Sequence, residues 1–177
     1  SPGSPRSASI DAASQPFWPH TLQRACRRVR RYRAPEPLAG HHDVTGFSCR
    51  SAEQTDWLRR YARQSTASGT TRVFVVTEHS DNRVVAYYAW CMAALLPAAT
   101  PARARKGAGR YPQPVALLAR LGVDVNHERN GLAAGMLQDV FTRLAELSDD
   151  IGCRGLLVHT ENPDALHFYR HLVPEFE

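Results

Sequence analysis

Residues 121–135 carry small and polar residues in an order that suits a phosphate ligand. The segment reads LGVDVNHERNGLAAG, which is a strand end, a polar turn and a helix that starts at Gly131. Small residues let a backbone approach a ligand closely, and the amides of a first helical turn attract phosphate. The segment has neither the GK[ST] of a nucleotide P-loop nor the GxGxxG of a dinucleotide site. It predicts a metal-free pyrophosphate site, as coenzyme A would need, with a purely structural helix start as the alternative.

A second group of candidate residues lies on the last predicted helix. Asn162, Ala165 and Tyr169 are spaced i, i+3 and i+7, which places them along one helix face. The Asn162 amide could bond a pantetheine arm or a neighbouring backbone group. The Tyr169 phenol could donate a proton to a leaving thiolate, or the ring could be a core aromatic. From the residues alone, the core role is favoured.

The elements that must position these residues follow from the periodicity of the chain. The predicted order is a helix capped at Ser51, a hairpin of strands 72–78 and 83–96, a strand at 115–124, a helix from 131 to 147, a strand at 154–159 and a final helix. A Pro/Gly/Arg loop at 97–112 separates the hairpin from the third strand. This order predicts an α/β fold in which helices pack on a mixed sheet.

The chain has 177 residues, which is enough for one domain. Its charge is unevenly distributed along the sequence. Residues 1–33 hold seven arginines and one acid, so we expect a disordered or arginine-rich extension ahead of a domain at 34–177. Residues 97–120 hold five basic residues and no acid, which suggests a face for a polyanion, although a solvated loop is the commoner explanation. With no membrane segment, secretory signal or CxxC pair, the cytoplasm is expected.

Beyond these patterns the sequence resembles the GNAT acetyltransferase superfamily. Its [QR]xxGx[GA] motif is similar to residues 128–133 (ERNGLA), and its N-x-x-A-x-x-[LF]-Y motif is similar to residues 162–169 (NPDALHFY). Further short matches between Pro35 and His159 resemble one branch, the toxins of bacterial type II toxin–antitoxin modules that acetylate aminoacyl-tRNA. The resemblance implies a GNAT-like α/β fold, with a mixed, mostly antiparallel sheet and helices on both faces.

The resemblance also implies roles for particular residues. Leu121 and Val123 would pair through their backbones with the pantetheine arm of acetyl-CoA, and Tyr169 would be the general acid. The other residues expected at the cofactor are Glu128, Arg129, Asn130, Gly131, Ala133, Ala134 and Asn162. The basic residues expected to bind tRNA are Arg59, Arg60, Arg63, Arg105, Lys106 and Arg120. A ribbon-helix-helix antitoxin and a homodimer are implied as partners, and no metal is.

Three departures from the family pattern stand out. Glu128 occupies the place of a Gln or Arg, which puts a negative charge beside the expected pyrophosphate unless its side chain turns away. The usual Phe-Gly-Phe after Tyr169 is absent. The family would also continue into a last strand, so we expect that strand to be missing and a sheet edge to be unpaired.

The pKa of the acceptor amine distinguishes the possible substrates. A free α-amine has a pKa near ~8 and a lysine near ~10.4, so an aminoacyl ester needs little help from a general base. The only candidate bases are Asp124, Glu128 and His159, and each is more simply a turn or strand-end residue. This favours aminoacyl-tRNA over the alternative of a small amine or a protein lysine. A nucleic-acid-binding module that uses the arginines between Arg24 and Arg33 is the non-enzymatic alternative.

Overall fold

Four α-helices and six strands are found in the residues that the computed structural model describes, which are 6–11, 31–99, 110–160 and 163–174. The strands are β1 (Arg6–Asp11), β2 (Glu36–Pro37), β3 (Arg72–Thr77), β4 (Val84–Leu95), β5 (Gln113–Val123) and β6 (Gly155–Thr160). The helices are α1 (Ala52–Arg60), α2 (Ala62–Ala67), α3 (Leu132–Ile151) and α4 (Pro163–Leu172). The predicted order of elements from the first helix onward is confirmed.

The strands hydrogen-bond in the order β1-β6-β5-β4-β3-β2. The pairs β1–β6, β2–β3 and β3–β4 are antiparallel, whereas β5 and β6 run parallel. The sheet is therefore mixed, as expected for this α/β fold. None of the helices in the described part of the chain combines the length and apolar composition that a bilayer span requires.

Helix α1 begins where its capping residue predicts. The Ser51 hydroxyl accepts a hydrogen bond from the Gln54 amide at 3.3 Å, which satisfies one of the free donors of the first turn. Helix α1 has its C-cap at Tyr61, which is also the N-cap of α2, and α2 ends before Gly69. Gly69 has a φ of +74°, a left-handed conformation that glycine adopts without steric cost.

The chain divides into two compact units, which we describe separately. Residues 20–91 and 119–140 form the hairpin unit, whose core packs α1 and α2 against the β3–β4 hairpin. Its core residues are Leu38, Val44, Phe47, Leu58, Ala62, Val73, Val75, Val84, Tyr87 and Ala89.

Consecutive tyrosines on β4 show that this part of the sheet is covered on both faces. The Tyr87 hydroxyl donates to the Gln54 carbonyl of α1 at 2.8 Å, and the Tyr88 hydroxyl donates to Asp139 of α3 at 2.6 Å. Both rings are fully buried. Because successive side chains of a strand point to opposite faces, α1 and α3 lie on opposite sides of β4.

Residues 1–19, 92–118 and 141–177 form the β6 unit. Here β5 and β6 pair in parallel from Ala116–Leu156 to Leu118–Val158, and the amphipathic helix α4 turns Leu166, Tyr169 and Leu172 inward. The parallel pairing fits a sheet whose neighbouring strands are joined by a crossover helix, here α3.

The N-terminal strand differs from the sequence expectation. The sequence predicts no regular structure for residues 1–15, yet Arg6–Asp11 form β1, paired with β6 in full register. Strand β1 thus forms the edge of the sheet next to β6. A strand that depends on a distant partner has little local signal, since strand preference reflects its neighbours more than its own residues. Residues 12–30, which include most of the arginines between Arg24 and Arg33, lie outside the described residues.

Candidate active site

Leu121 and Val123 lie at the end of β5. Among the described residues, the pairing of β5 with β6 covers Ala116 to Leu118 and stops before both of them. Both are partly exposed, whereas Gly122 between them is buried. The backbone pairing of Leu121 and Val123 with a pantetheine arm, which the resemblance implies, stays a prediction.

Gly122 is required by close packing on the face turned toward α1. A Cβ placed there would lie 2.9 Å from Cε1 of Tyr87 and 3.4 Å from Cζ of Phe47. Tyr87 has little room to yield, because its hydroxyl is bonded to α1 and its ring stacks on Trp57 with centroids 6.1 Å apart.

We expect Gly122→Ala to destabilise the protein by about 1–3 kcal/mol through overpacking. Urea unfolding followed by circular dichroism measures the change. Gly40→Ala is the matched control, since a Cβ at Gly40 meets nothing within 4 Å. Equal stability of the two variants would contradict the packing argument.

The turn after β5 is fixed by Asp124, which is 6% exposed. Its carboxylate accepts from the Asn126 amide at 2.9 Å and from the Ser48 amide at 2.8 Å. The Val125 amide in turn donates to the Ser48 carbonyl at 2.9 Å. Three hydrogen bonds therefore fix the turn and attach it to the segment that leads into α1.

The backbone that follows has the conformation of an anion-binding turn. Arg129 has a φ of +61° and Gly131 a φ of +80°. A left-handed non-glycine residue is uncommon, and such outliers cluster at functional sites. The first hydrogen bond of α3 runs from the Gly135 amide to the Gly131 carbonyl at 2.9 Å, so the amides of residues 132–134 have no acceptor within the helix. This geometry fits a phosphate group and agrees with the predicted helix start.

Gly131 in this turn and Gly135 in the helix that follows should respond oppositely to alanine. Gly131→Ala forces a Cβ into the left-handed region, so we expect it to cost about 1–2 kcal/mol. Gly135 lies in the helix with nothing within 4 Å of a Cβ, so Gly135→Ala should stabilise by about 0.5–1 kcal/mol. Thermal unfolding of both variants measures the difference. Stabilisation by Gly131→Ala would contradict the assigned backbone conformation.

Glu128 does not present an unpaired charge to this turn. Its two carboxylate oxygens accept from Nε and Nη2 of Arg50, each at 2.8 Å. This bidentate bond raises the pKa of the Arg50 guanidinium further above its usual value. Arg50 is 78 positions away in the sequence and is not among the predicted residues, because nothing local links it to the turn.

Tyr169 lies on the buried face of α4 and is 6% exposed. Its ring packs edge to face on Phe168 with centroids 5.4 Å apart. Both roles considered from the sequence, core aromatic and proton donor, are compatible with this position, so the general-acid role stays a prediction. Asn162 lies outside the described residues.

Two of the three candidate bases are engaged by hydrogen-bond donors. Asp124 accepts from the Ser48 and Asn126 amides, and Glu128 is bound by Arg50. His159 is exposed on β6, in register with Ser7 of β1. These placements agree with a substrate amine that needs no strong base.

The predicted tRNA-binding residues differ in their surroundings. Arg59 and Arg60 are exposed in the last turn of α1, and Arg60 lies 3.9 Å from Asp56. Arg63 instead donates to the main-chain carbonyls of residues 39 and 42 at 2.9 and 2.6 Å, so its guanidinium fastens a loop. Arg120 contacts α1, as described next. Arg105 and Lys106 lie outside the described residues.

Arg120 joins β5 to α1 through a stacked arrangement. Its guanidinium carbon lies 4.9 Å from the centre of the Trp57 ring, a cation–π contact. Both Nη atoms donate to one oxygen of Glu53 at 3.2 Å. The structure thus adds Trp57 and Glu53 to the surroundings of this predicted residue.

A cluster of potential metal ligands lies elsewhere in the hairpin unit. Ligand atoms of Glu36, His41 and His42 lie within 4.8 Å of one another. However, Nδ1 of His42 accepts from the Ala39 amide at 2.9 Å, which places the ring proton on Nε2, and Nε2 donates to Glu36 at 3.0 Å. Because both ring nitrogens are engaged, the arrangement is a hydrogen-bonded structural cluster.

Comparison with known proteins identifies what the chain is similar to. Residues 47–172 match the acetyltransferase (GNAT) family. The chain is 36% identical over 140 residues to a protein of Mycobacterium tuberculosis named "tRNA-acetylating toxin", an alignment that covers 79% of this chain and 82% of the relative.

Solved structures of low sequence identity share the fold. The toxin AtaT complexed with acetyl-methionyl-tRNAfMet superposes with a TM-score of 0.73 at 22% identity, covering 79% of this chain and 85% of AtaT. A tyrosine-to-phenylalanine mutant of AtaT, bound to the C-terminus of the antitoxin AtaR and acetyl-CoA, has a TM-score of 0.66 at 20% identity, covering 78% and 81%.

Proposed function

This chain belongs to the acetyltransferase (GNAT) family, and we propose from that premise that it acetylates the α-amino group of aminoacyl-tRNA and so blocks translation. Acetyl-CoA is the acetyl donor of the family. The observation that carries the substrate class is the 36% identity to a tRNA-acetylating toxin across 79% of this chain. The absence of an available carboxylate base among the described candidates supports the same substrate.

The residues at the end of β5 and the start of α3 would hold acetyl-CoA. The backbones of Leu121 and Val123 would pair with the pantetheine arm, since the ladder with β6 ends before them within the described residues. Residues Arg129, Asn130, Gly131, Ala133 and Ala134 would bind the pyrophosphate, and Asn162 would meet the pantetheine. The left-handed turn and the amides at the start of α3 fit such a group.

Acetyl-CoA supplies an acetyl group activated as a thioester. Tyr169 would hold the proton that the departing sulfur needs, at its phenolic oxygen. The substrate amine attacks as its neutral form and loses its extra proton to water, which requires no carboxylate.

The acceptor would be bound by basic residues around α1. Arg59, Arg60 and Arg120 lie in the hairpin unit, and Arg63 binds the carbonyls of residues 39 and 42 in the same unit. Arg105 and Lys106, which the resemblance adds, lie outside the described residues. Phosphate contacts of this kind give affinity that falls with salt and carries little sequence information. Which aminoacyl-tRNA is preferred therefore depends on contacts other than these.

An acetyl-transfer assay with labelled acetyl-CoA tests the proposal. Charged tRNA, uncharged tRNA, a polyamine and a lysine-rich protein are offered separately, and label on charged tRNA alone is the expected result. Label on the polyamine or protein would establish the other acetyltransferase function. Failure of the protein to bind acetyl-CoA in calorimetry would overturn both and favour a nucleic-acid-binding module.

The partners follow from the same relatives. AtaT is bound to the C-terminus of an antitoxin, and we propose a ribbon-helix-helix antitoxin as the partner of this chain. We also propose that the chain forms a homodimer and acts in the cytoplasm, where charged tRNA resides. Co-purification with the product of a neighbouring ribbon-helix-helix gene tests the antitoxin, and light scattering of the purified protein tests the homodimer.

A further inference from the structure

The negative charge of Glu128 is paired with Arg50, a residue outside the sequence motif. Glu128 directly precedes the left-handed Arg129 of the proposed pyrophosphate turn. Its carboxylate takes the side edge of the Arg50 guanidinium, formed by Nε and Nη2. A guanidinium has five donors in a rigid fork, so the end edge, with Nη1 and the second hydrogen of Nη2, is not used by this bond.

The free edge of Arg50 is open to a ligand. The Arg50 side chain is 76% exposed and that of Glu128 is 25% exposed. Within the described part of the chain, Arg50 makes no hydrogen bond besides the two to Glu128. Arginine binds phosphate and carboxylate alike through paired N–H donors, so one guanidinium can bridge the two.

The backbone holds Arg50 beside the turn. Two residues earlier, Ser48 donates its amide to Asp124 at 2.8 Å and accepts from the Val125 amide at 2.9 Å. One residue later, Ser51 caps α1. Arg50 thus lies between two anchored residues, and its side chain is oriented by a third contact, to Glu128.

We propose that Arg50 is a phosphate-binding residue of the acetyl-CoA site, oriented by Glu128, which restores the positive charge that the motif position lacks. The proposal rests on the proposed function, in which residues 129–134 bind the pyrophosphate. It assigns Glu128 to positioning: the carboxylate orients the arginine and does not itself meet the phosphate.

Three variants separate a direct phosphate contact from simple neutralisation of Glu128. Arg50→Ala should weaken acetyl-CoA binding about tenfold or more, the effect of losing a charged hydrogen bond. Glu128→Gln should weaken the affinity less than Arg50→Ala does, since its single amide oxygen can still accept one of the two hydrogen bonds from Arg50. The double variant should remain as weak as Arg50→Ala. A double variant that binds as tightly as the unmodified protein would overturn the direct contact.

A second acetyl donor distinguishes phosphate binding by Arg50 from a purely structural role of the Arg50–Glu128 pair. S-acetyl-pantetheine carries the thioester but no phosphate, so Arg50→Ala should leave its kcat/KM unchanged while lowering that for acetyl-CoA. Equal losses with both donors would overturn the proposal. Arg83→Ala is the matched control, because Arg83 is 71% exposed, pairs with Asp81 and has no proposed role.

Failure of this inference is distinguishable from failure of the proposed function. If unmodified protein binds no acetyl-CoA in calorimetry, the function itself is wrong and so is the role of Arg50. If unmodified protein binds acetyl-CoA and Arg50→Ala binds it equally well, only the role of Arg50 is wrong.

Discussion

Replacing Tyr169 by phenylalanine is expected to lower kcat for acetyl transfer at least about a hundredfold, the usual contribution of a general acid. The change removes one oxygen and leaves the ring, which is 6% exposed and packs on Phe168, in place. The Val173 amide also keeps its bond to the residue 169 carbonyl at 2.8 Å. The Tm should therefore shift by no more than a few degrees, and acetyl-CoA binding should persist.

Tyr88→Phe is the control for losing a buried phenol. Tyr88 is fully buried, and its hydroxyl donates to Asp139 at 2.6 Å, so its loss leaves a carboxylate without that donor. We expect a loss of stability of about 1–3 kcal/mol with little change in kcat. Full turnover by Tyr169→Phe would refute the acid role, and the ring would then be a core aromatic.

The elements of this fold were predictable where the local pattern and the tertiary structure agree. Ser51 capped α1, the polar turn between β3 and β4 produced the hairpin, and the change of period at Gly131 marked the start of α3. Each of these signals is contained within a few neighbouring residues, and long periodic segments are the most reliable kind.

The contacts that complete the candidate site were not predictable from the sequence. Arg50 meets Glu128 across 78 positions, and Arg120 meets Glu53 across 67. Neither pairing has a periodicity or a motif, because it depends on how α1 lies against the end of β5. For the same reason the sequence shows Glu128 only as an unfavourable negative charge in the motif, whereas the structure pairs it with Arg50.

Arg63 has a structural contact that its residue type does not reveal. Its charge and its position near Arg59 favour an RNA contact, yet its guanidinium donates to the loop carbonyls of Ala39 and His42. An arginine can satisfy backbone acceptors as well as phosphates, and the sequence does not distinguish the two. Its substitution is therefore expected to affect stability as well as any binding.

Arg120→Ala is expected to weaken binding of charged tRNA about uniformly across sequences and to reduce the salt dependence of the affinity by about one phosphate contact. Arg120 is already oriented before any phosphate arrives, because its guanidinium stacks on Trp57 and its stem is largely buried, with 21% of the side chain exposed. Filter binding over a range of salt concentrations measures the slope. Affinity for acetyl-CoA should not change.

Glu53→Gln should act in the opposite direction. The Glu53 oxygen accepts from both Nη atoms of Arg120 at 3.2 Å, and its side chain is 69% exposed. An exposed pair of this kind contributes about 0.2–1 kcal/mol, so a phosphate can displace it, and its removal should raise tRNA affinity by up to about fivefold. Asp81→Asn, which removes the partner of Arg83 instead, is the control and should leave tRNA affinity unchanged. If Glu53→Gln binds no more tightly than Asp81→Asn, the carboxylate does not compete with the substrate, and its role is to hold Arg120 on Trp57.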